Sequence, residues 1–179
     1  AVVRSVVEMN STELSQWLTE HRIDIVVNCI GVLQDGARGG THDVHEAFVG
    51  RLLDSLRSAS PERLLVHLSI PGADQDDRTA FSKTKRSGER LIIASGLPFV
   101  ILRPGFVIAP YAYGGSALFR ALAATPIVLP DKLAATPFSS VHVDDVCRTV
   151  AFVSRRWAVG AREFATVWEL MTIKRSTVT

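Results

Sequence analysis

The stretch Phe81-Ser82-Lys83-Thr84-Lys85, followed by Gly88 and Glu89, decides the fold of this chain. It lies in a helical pattern from about Ala80 to Ala94, in which Phe81 and Lys85 share one face. A buried apolar run precedes this helix at 64–69, and a second follows it at 99–103. The order of strand, helix and strand predicts a parallel βαβ unit.

The rest of the chain continues this alternation of short β-branched runs and helical patterns. We predict a strand at 2–7, a helix capped by Ser11 or Thr12, a strand at 24–29, a helix capped by Thr41 or Asp43 and closed by Pro61, a helix at 116–124, a strand at 138–141 and a helix at 143–154. The pattern predicts an α/β fold with a doubly wound, Rossmann-like parallel sheet. Regularity declines towards the carboxyl end, where we expect a small irregular region.

Composition excludes several classes of function. The chain has 179 residues, 47% of them hydrophobic, which is enough for one domain with a core. A net charge of +2 with well-mixed signs gives no basic stripe for nucleic acid. Glycine, proline and Arg103 interrupt the most apolar region, 91–110, so we predict no membrane span. Two cysteines, Cys29 and Cys147, fit a reducing compartment and predict a cytoplasmic protein.

Three further motifs follow in order along the chain. Asn28-Cys29-Ile30-Gly31 ends one predicted strand. Leu102-Arg103-Pro104-Gly105-Phe106-Val107 ends another, and Val141-His142-Val143-Asp144-Asp145-Val146 leads into the last predicted helix.

Together with the helix of Lys85, these motifs resemble the short-chain dehydrogenase/reductase superfamily, especially its extended and atypical branches, over about residues 1–155. Such proteins carry Tyr-x-x-x-Lys on this helix. The tyrosine hydroxyl, its pKa lowered by the lysine, transfers the proton that accompanies hydride transfer. The resemblance implies NAD or NADP as cofactor. Phe81 stands at the tyrosine position and has no proton to give.

The resemblance also implies which residues contact the cofactor. Asn28 to Gly31 would run beneath it, Lys85 would contact its ribose, and the main chain at Pro104 and Gly105 would lie against the nicotinamide. The implied cofactor-binding residues are Asn28, Cys29, Ile30, Gly31, Ser69, Ile70, Phe81, Lys85, Pro104, Gly105 and Val107.

One family feature is missing from this sequence. The glycine-rich turn that receives the pyrophosphate at a helix N-terminus does not occur, and the cluster at 36–40 predicts a surface loop. Aligned by motif, 2–7 becomes the third strand, so the fold is expected to lack its first βαβ unit. About fifty residues before Ala1 would supply the missing units. The alternative is direct pairing of 2–7 with 24–29, which would remove the phosphate site.

The proton source is open at this point. We name Lys85 and Tyr113 as candidate catalytic residues, since Tyr113 or its neighbour Tyr111 could replace the lost acid. Ser69 stands slightly before the family position that polarises a carbonyl, and it is equally compatible with ending a strand. His45 lies near a family asparagine that relays protons, although a histidine in a polar pocket is the favoured interpretation.

Three simpler interpretations accompany these candidates. Lys85 and Glu89 have the i,i+4 spacing of an exposed ion pair. His42 and His45 have the spacing of two metal ligands, but no third ligand accompanies them, and we predict no metal site. Cys29 is expected to be a small buried residue rather than a nucleophile.

Two hypotheses of function follow. The chain is either an NAD(P)-dependent oxidoreductase or epimerase-like enzyme acting on a small carbonyl or sugar-nucleotide-like substrate, or a catalytically silent dinucleotide-binding module that senses cofactor or supports an assembly. In both, 1–110 would form a partial NAD(P)-binding domain, with 111–179 as a substrate-side region packed on it. The loss of the tyrosine favours the silent module, and the substrate-side region favours the enzyme.

Overall fold

The structure is a computed structural model that describes residues 5–36, 40–58, 62–111, 115–126 and 139–171. Its elements are α1 (Ser11–Glu20), β1 (Ile25–Asn28), a π-helical turn (Asp43–Ala47), α2 (Phe48–Arg57), β2 (Leu64–Leu68), a 3-10 turn (Asp74–Asp76), α3 (Ala80–Ala94), β3 (Phe99–Pro104), β4 (Phe106–Ile108), α4 (Gly115–Ala123), β5 (Ser140–His142), α5 (Val143–Ala158) and β6 (Ala165–Leu170).

A parallel four-stranded sheet organises these elements, with strand order β1-β2-β3-β6. Asn28, His67 and Ile101 stand side by side across its first three strands. A second parallel sheet consists of β4 and β5. The predicted α/β fold with a Rossmann-like parallel sheet is therefore confirmed.

Helices cover both faces of the large sheet. On one face Leu65 and Ile101 pack in a core with Phe48 of α2 and with residues of α1 and α3. On the other face Val66 and Val100 pack against Val153 and Trp157 of α5. Because strands covered on both sides must be apolar on both sides, the continuous apolar runs of β2 and β3 follow directly from this arrangement.

Helix α3 has the predicted bounds, and Thr79 caps it by accepting a hydrogen bond from Ser82 N. The predicted cap of α1 was wrong. Asn10, not Ser11 or Thr12, accepts from Glu13 N, and Glu13 returns a bond to Asn10 N, which forms a capping box. The helix predicted from Thr41 or Asp43 begins with the π-helical turn before α2.

Two strand predictions need correction. Residues 5–7 of the strand predicted at 2–7 are irregular, and Val6 O accepts from Met9 N in a turn; residues 2–4 lie outside the described ranges. Strand β6 was not predicted. It pairs with the whole of β3, from Phe99 opposite Ala165 to Pro104 opposite Leu170, so the segment after α5 returns to the main sheet.

Within the described ranges, β1 has a neighbouring strand on one side only, β2. Val27 is 40% exposed. A narrow apolar groove runs beside it, lined by Val6, Leu14, Trp17, Leu18, Val26, Val27, Asn28, Ile30, Phe48 and Leu52. In the same ranges no helix combines the length and the apolar character that crossing a membrane requires.

Candidate functional site

Helix α3 lies in direct backbone contact with the π-helical turn. A Cβ atom added at Gly88 would collide with the main-chain oxygen of His45. Only glycine permits this approach. It brings the preceding turn of α3, which carries Lys85, to the carboxyl ends of β1 and β2. π-Helical turns are rare and occur frequently at functional sites.

Lys85 is buried at that place, with 6% of its surface exposed. Its Nζ donates hydrogen bonds to Ile30 O at 3.2 Å and to Leu68 O at 3.1 Å, the main-chain oxygens that follow β1 and end β2. The ammonium therefore joins the ends of two strands. The alternative of an exposed pair with Glu89 was wrong, because that carboxylate bonds to arginines instead.

His45 lies beside Lys85 and is 2% exposed. Val32 N donates to its Nε2 at 3.1 Å, which makes Nε2 an acceptor and places the ring proton on Nδ1. Nδ1 then donates to Thr84 Oγ1 at 2.9 Å, and that hydroxyl donates to Ala80 O. His45 thus matches the favoured interpretation of a histidine in a polar pocket, and both of its nitrogens are occupied.

A second buried histidine, His67 on β2, was not singled out from the sequence. Asn28 Oδ1 accepts from Ile30 N, so its amide nitrogen donates to His67 Nδ1 at 3.1 Å. The proton of His67 is then on Nε2, which has no hydrogen-bond partner among the described residues. Asn28 therefore braces β1 against β2 and fixes the turn at Ile30.

These three basic groups share a low-polarity environment that disfavours positive charge. Burial is the main cause that lowers the pKa of Lys85 to about 8, against smaller opposing effects of Cys29 and Glu89. Burial and then Lys85 lower the pKa of His45 to about 4. Burial, Lys85 and His45 lower the pKa of His67 to about 3. At neutral pH both histidines are neutral, and Lys85 carries the charge.

Phe81 occupies the first turn of α3, half-buried beside His45. The two rings meet edge to face, with centroids 5.4 Å apart and an angle of 75° between their planes. The position is therefore filled by an apolar ring in a packed contact. No proton can pass through it.

Ser69 and Ile70 follow β2 directly. Ser69 N donates to Leu102 O at 2.8 Å, so the residue ends the strand as the simpler interpretation expected. Its buried Oγ makes no hydrogen bond of ordinary geometry, although the hydroxyl lies near enough to Glu89 to help lower the pKa of that carboxyl. Ile70 is half-buried and leads into Pro71 and Gly72.

Glu89 is the centre of a buried ion cluster, one turn after Lys85 on α3. Arg103 donates two hydrogen bonds to its carboxylate, at 3.0 and 2.6 Å, and Arg86 donates two more, at 3.1 and 3.2 Å. Arg86 also donates to the main-chain oxygens of Pro71 and Gly72. Burial alone would raise the pKa of Glu89, but these hydrogen bonds outweigh burial and lower it.

This cluster was not predicted from the sequence, although two of its members lie in the motifs described above. Glu89 and Arg103 both belong to stretches that carried the family resemblance, and Arg86 has i,i+3 spacing to Glu89. That spacing was the available signal for the first pair. Arg103 joins the cluster only because β3 lies beside β2 in the sheet.

Pro104, Gly105 and Val107 lie where β3 passes into β4. Gly105 N donates to Leu170 O, and a Cβ at Gly105 would lie 2.5 Å from Ser139 O, so the two sheets meet closely there. Val107 contributes to a cavity of about 360 Å³ that is lined by Phe106, Val107, Ile108, Ala109, Pro110, Ser116, Phe119, Arg120 and Ala123. Tyr111 is 80% exposed, and Tyr113 lies outside the described residues.

Cys29 is exposed, so the prediction of a buried residue was wrong. Partial burial of its thiol nevertheless raises its pKa, which leaves the thiol protonated at neutral pH. His42 is exposed and lies near Asp43 and Glu46, whereas His45 points into the protein. Over the described part of the chain, no three potential ligands are grouped so that they could hold a metal ion.

Comparison with known proteins identifies relatives of this fold only among solved structures. No protein-family model matches the chain. No curated protein matches it either. Solved structures do match. UDP-glucuronic acid 4-epimerase from Bacillus cereus in complex with NAD is 20% identical and has a TM-score of 0.73, over 98% of this chain and 61% of that one.

Two other solved structures give the same result. UDP-glucose 4-epimerase from Thermus thermophilus in complex with NAD has 19% identity and a TM-score of 0.65, covering 94% of this chain and 63% of that chain. WbmG from Bordetella bronchiseptica in complex with NAD has 16% identity and a TM-score of 0.71, covering 99% and 59%.

The fold is that of NAD-dependent sugar-nucleotide epimerases. The chain spans about three fifths of the length of these structures. Within this epimerase-like fold, Lys85, His45 and Asn28 meet at the carboxyl ends of parallel strands, the edge at which open α/β sheets bind their ligands.

Proposed function

We propose that this chain binds NAD or NADP at the carboxyl ends of β1, β2 and β3. We further propose that it acts there as an atypical oxidoreductase or epimerase-like enzyme on a small carbonyl or sugar-nucleotide-like substrate. The observation that carries the proposal is the position of Lys85 Nζ, buried at the sheet edge and held by Ile30 O and Leu68 O. Both of these acceptors are neutral, so the charge of the ammonium is not neutralised by a hydrogen-bonded carboxylate and remains available to a ligand.

The residues around this amine fit the ribose and nicotinamide end of a dinucleotide. Lys85 uses two of its three N–H bonds on protein oxygens, which leaves one to donate to a ribose hydroxyl. Gly31 lies directly beside this amine and the imidazole of His45, since a Cβ there would be in ordinary contact at 3.4 Å from Lys85 Nζ and 3.5 Å from His45 Nε2. The main chain at Pro104 and Gly105 would flank the nicotinamide, which supplies or accepts a hydride when bound. The described residues contain no glycine-rich turn for the phosphates.

Calorimetry with NAD, NADH, NADP and NADPH tests the binding step. Lys85→Ala should weaken the affinity by about 10- to 100-fold, because it removes a charge-assisted hydrogen bond worth about 1.5–3 kcal/mol. Lys83→Ala is the matched control, since Lys83 lies exposed on the same helix and should leave the affinity unchanged. Equal affinity in the wild type and Lys85→Ala would remove the proposed site.

The silent dinucleotide-binding module is the second candidate function, and Phe81 favours it. Loss of positioned acid catalysis typically reduces a rate by about 10²- to 10⁴-fold. In Phe81→Tyr, a large gain in NAD(P)H oxidation over a panel of carbonyl compounds would support the enzyme. Binding without any gain would support the sensing or assembly role.

The apolar cavity beside Val107 supports a substrate-side position for β4 and α4. It begins at Phe106, directly after the Pro104–Gly105 segment, and is lined mostly by apolar side chains, with Ser116 and the charged Arg120. Ligand pockets commonly have this composition. We therefore assign the substrate to this side of the fold, with 111–179 as the region that contributes to it.

A further inference from the structure

We propose that the cavity between β4 and α4 binds an apolar oxo acid, with the apolar body of the ligand inside the cavity and its carboxylate on Arg120. The inference rests on the proposed function, because the carbonyl of this ligand is the group that a bound nicotinamide nucleotide would reduce. It goes beyond that function by choosing one class of substrate, an acidic and otherwise apolar carbonyl compound, over sugar nucleotides.

The first argument is the chemistry of the cavity walls. Of the nine described residues that line it, only Ser116 and Arg120 have polar side chains. The rings of Phe106 and Phe119 contact each other on one wall, with centroids 5.1 Å apart. Phe119 and Ile108 are exposed, so an apolar ligand would remove their surface from water as well as its own.

The second argument is the size of the cavity, which is about 360 Å³. At the ~30 Å³ that one water molecule takes in the liquid, this is space for roughly ten to twelve non-hydrogen atoms. A sugar nucleotide, with its base, two sugars and two phosphates, is larger. Its hydroxyl groups would also find few partners on these walls, and a buried polar group without a hydrogen bond weakens binding.

The third argument is the charge of Arg120. Its Nη1 donates to Pro110 O at 2.9 Å and to Ala109 O at 3.4 Å, which holds the guanidinium beside the chain where it leaves β4. Among the described residues, neither Nε nor Nη2 of Arg120 makes a hydrogen bond, and no carboxylate forms an ion pair with it. These two nitrogens form one edge of the guanidinium, and such an edge matches the two oxygens of a carboxylate.

The direction of β4 orders the two ends of the ligand. The strand leads from Gly105, which would flank the nicotinamide, to Ala109, where Arg120 is held. Four extended residues with a rise of ~3.3 Å each separate these positions by about 13 Å. A ligand that lies along β4 would therefore have its carbonyl at one end and its carboxylate at the other.

Nuclear magnetic resonance tests the binding step without nucleotide or turnover. Octanoate is the probe, because it combines an apolar chain with a carboxylate and fits the volume of the cavity. In the ¹⁵N-labelled wild type it should shift the amide resonances of 106–108 and 119–123. Shifts confined to other parts of the chain, or displacement of octanoate from these residues by UDP-glucose, would overturn the inference.

A pair of variants on α4 tests the position of the ligand. Ala123→Trp places an indole in the cavity and should weaken octanoate binding at least about 10-fold. Ala121→Trp is the matched control, since Ala121 is exposed and does not line the cavity, and it should bind octanoate like the wild type. Thermal unfolding shows whether both variants fold, and the amide shifts of the wild type decide the question if Ala123→Trp does not.

The role of Arg120 is tested by comparing ligands with and without the acid group. Arg120→Gln should lower the ratio of octanoate affinity to octanol affinity by about 5-fold, the effect of an ion pair at an exposed arginine. With NADH or NADPH, the ratio of kcat/KM for suberic semialdehyde to that for octanal should exceed one and fall in Arg120→Gln by a similar factor. Ratios that do not change in the variant would remove the carboxylate from Arg120.

The outcomes separate this inference from the proposed function. If octanoate binds in the cavity but no nicotinamide nucleotide binds, the proposed function fails and the cavity remains a site for apolar acids. If nucleotide binds and octanoate does not reach the cavity, the inference fails and the proposed function stands. A wild-type dimer that Ala123→Trp converts into a monomer, measured by light scattering, would assign the cavity to a second copy of the chain and overturn the inference.

Discussion

Helix α3 carries two buried charged side chains, one bound by neutral oxygens and the other by groups of opposite charge. At Lys85 a single ammonium is held by two neutral main-chain oxygens, and its pKa is lowered to about 8. One turn later, Glu89 is held between Arg86 and Arg103, and its pKa is lowered because the ionised form is favoured. Both side chains are nearly inaccessible to water.

The difference places a charge paired with counter-charges and an unpaired charge one turn apart on the same helix. In the Glu89 cluster the carboxylate is paired with arginines, and its hydrogen bonds join α3, β3 and the loop after β2. These pairs stabilise the ionised form of each group. Among the described residues, no carboxylate forms an ion pair with Lys85, and burial lowers its pKa. We infer that the cluster positions the helix that carries Lys85.

The largest effect is expected from Glu89→Gln, which leaves the buried guanidinium of Arg86 and the partly buried guanidinium of Arg103 without their central carboxylate. Removing one partner of a buried ion pair costs about 3–5 kcal/mol of unfolding free energy, measured here by urea denaturation. Asp54→Asn is the control, because the exposed Asp54–Arg57 pair should contribute at most about 1 kcal/mol. Equal losses in both variants would contradict a stabilising role for the cluster.

Gly88→Ala tests whether the contact between α3 and the π-helical turn positions Lys85. The added methyl group meets the main-chain oxygen of His45, and such overpacking costs about 1–3 kcal/mol. Gly50→Ala in α2 meets nothing within 4 Å and should stabilise the protein by about 0.8–1 kcal/mol through helix propensity. Urea midpoints that shift in opposite directions would support the close approach, whereas two stabilised variants would refute it.

The dependence of unfolding free energy on pH tests the two neutral histidines next to Lys85, His45 and His67. His45 and His67 bind protons more weakly in the folded chain, so below pH 6.5 the unfolded chain binds more protons. Stability should therefore fall as pH falls from 6.5 to about 4, by up to about 1.4 kcal/mol per pH unit for each histidine.

The histidine variants identify the source of that slope. His67→Gln or His45→Gln should flatten the dependence of the urea midpoint on pH, while His21→Gln, at the exposed position directly after α1, is the control. A slope that persists in the double variant of His45 and His67 would assign acid sensitivity to the carboxylates instead.

The smallest effect is expected at the rim of the cluster. Glu169 of β6 accepts from Arg103 at 3.3 Å, but it is 35% exposed and solvent screens the pair. Glu169→Gln should change the unfolding free energy by less than about 1 kcal/mol and leave nucleotide affinity unchanged. A loss of unfolding free energy as large as that of Glu89→Gln would mean that Glu169 is an essential member of the ion cluster.

Local patterns predicted the frame of this fold well. Residues 64–69 and 99–103 gave strands because continuous apolar runs identify strands buried on both faces, and α3 was predicted from about Ala80 to Ala94, where it lies. Strand β6 was missed because its residues are only half-buried, and it is defined by pairing with β3 from a distant part of the chain.

Less of the candidate site than of the fold could be predicted from the sequence. Lys85 and the Asn28 turn could be proposed from motifs, since their spacing along the chain carried the resemblance. The neutral state of His45 depends on Val32 N and Thr84, and the partners of Glu89 depend on the neighbouring strand. Such contacts are set by tertiary packing, which no local pattern encodes.

The outer flank of β1 has a practical consequence for work with this polypeptide. Within the described residues no strand pairs with this flank, so its backbone groups offer a short hydrogen-bonding template beside an apolar groove, with Val27 40% exposed. Flanks of this kind recruit extended segments from other molecules, and a charged side chain is the usual deterrent in natural sheets. Val27→Lys is accordingly the substitution we would introduce first to keep concentrated samples monodisperse.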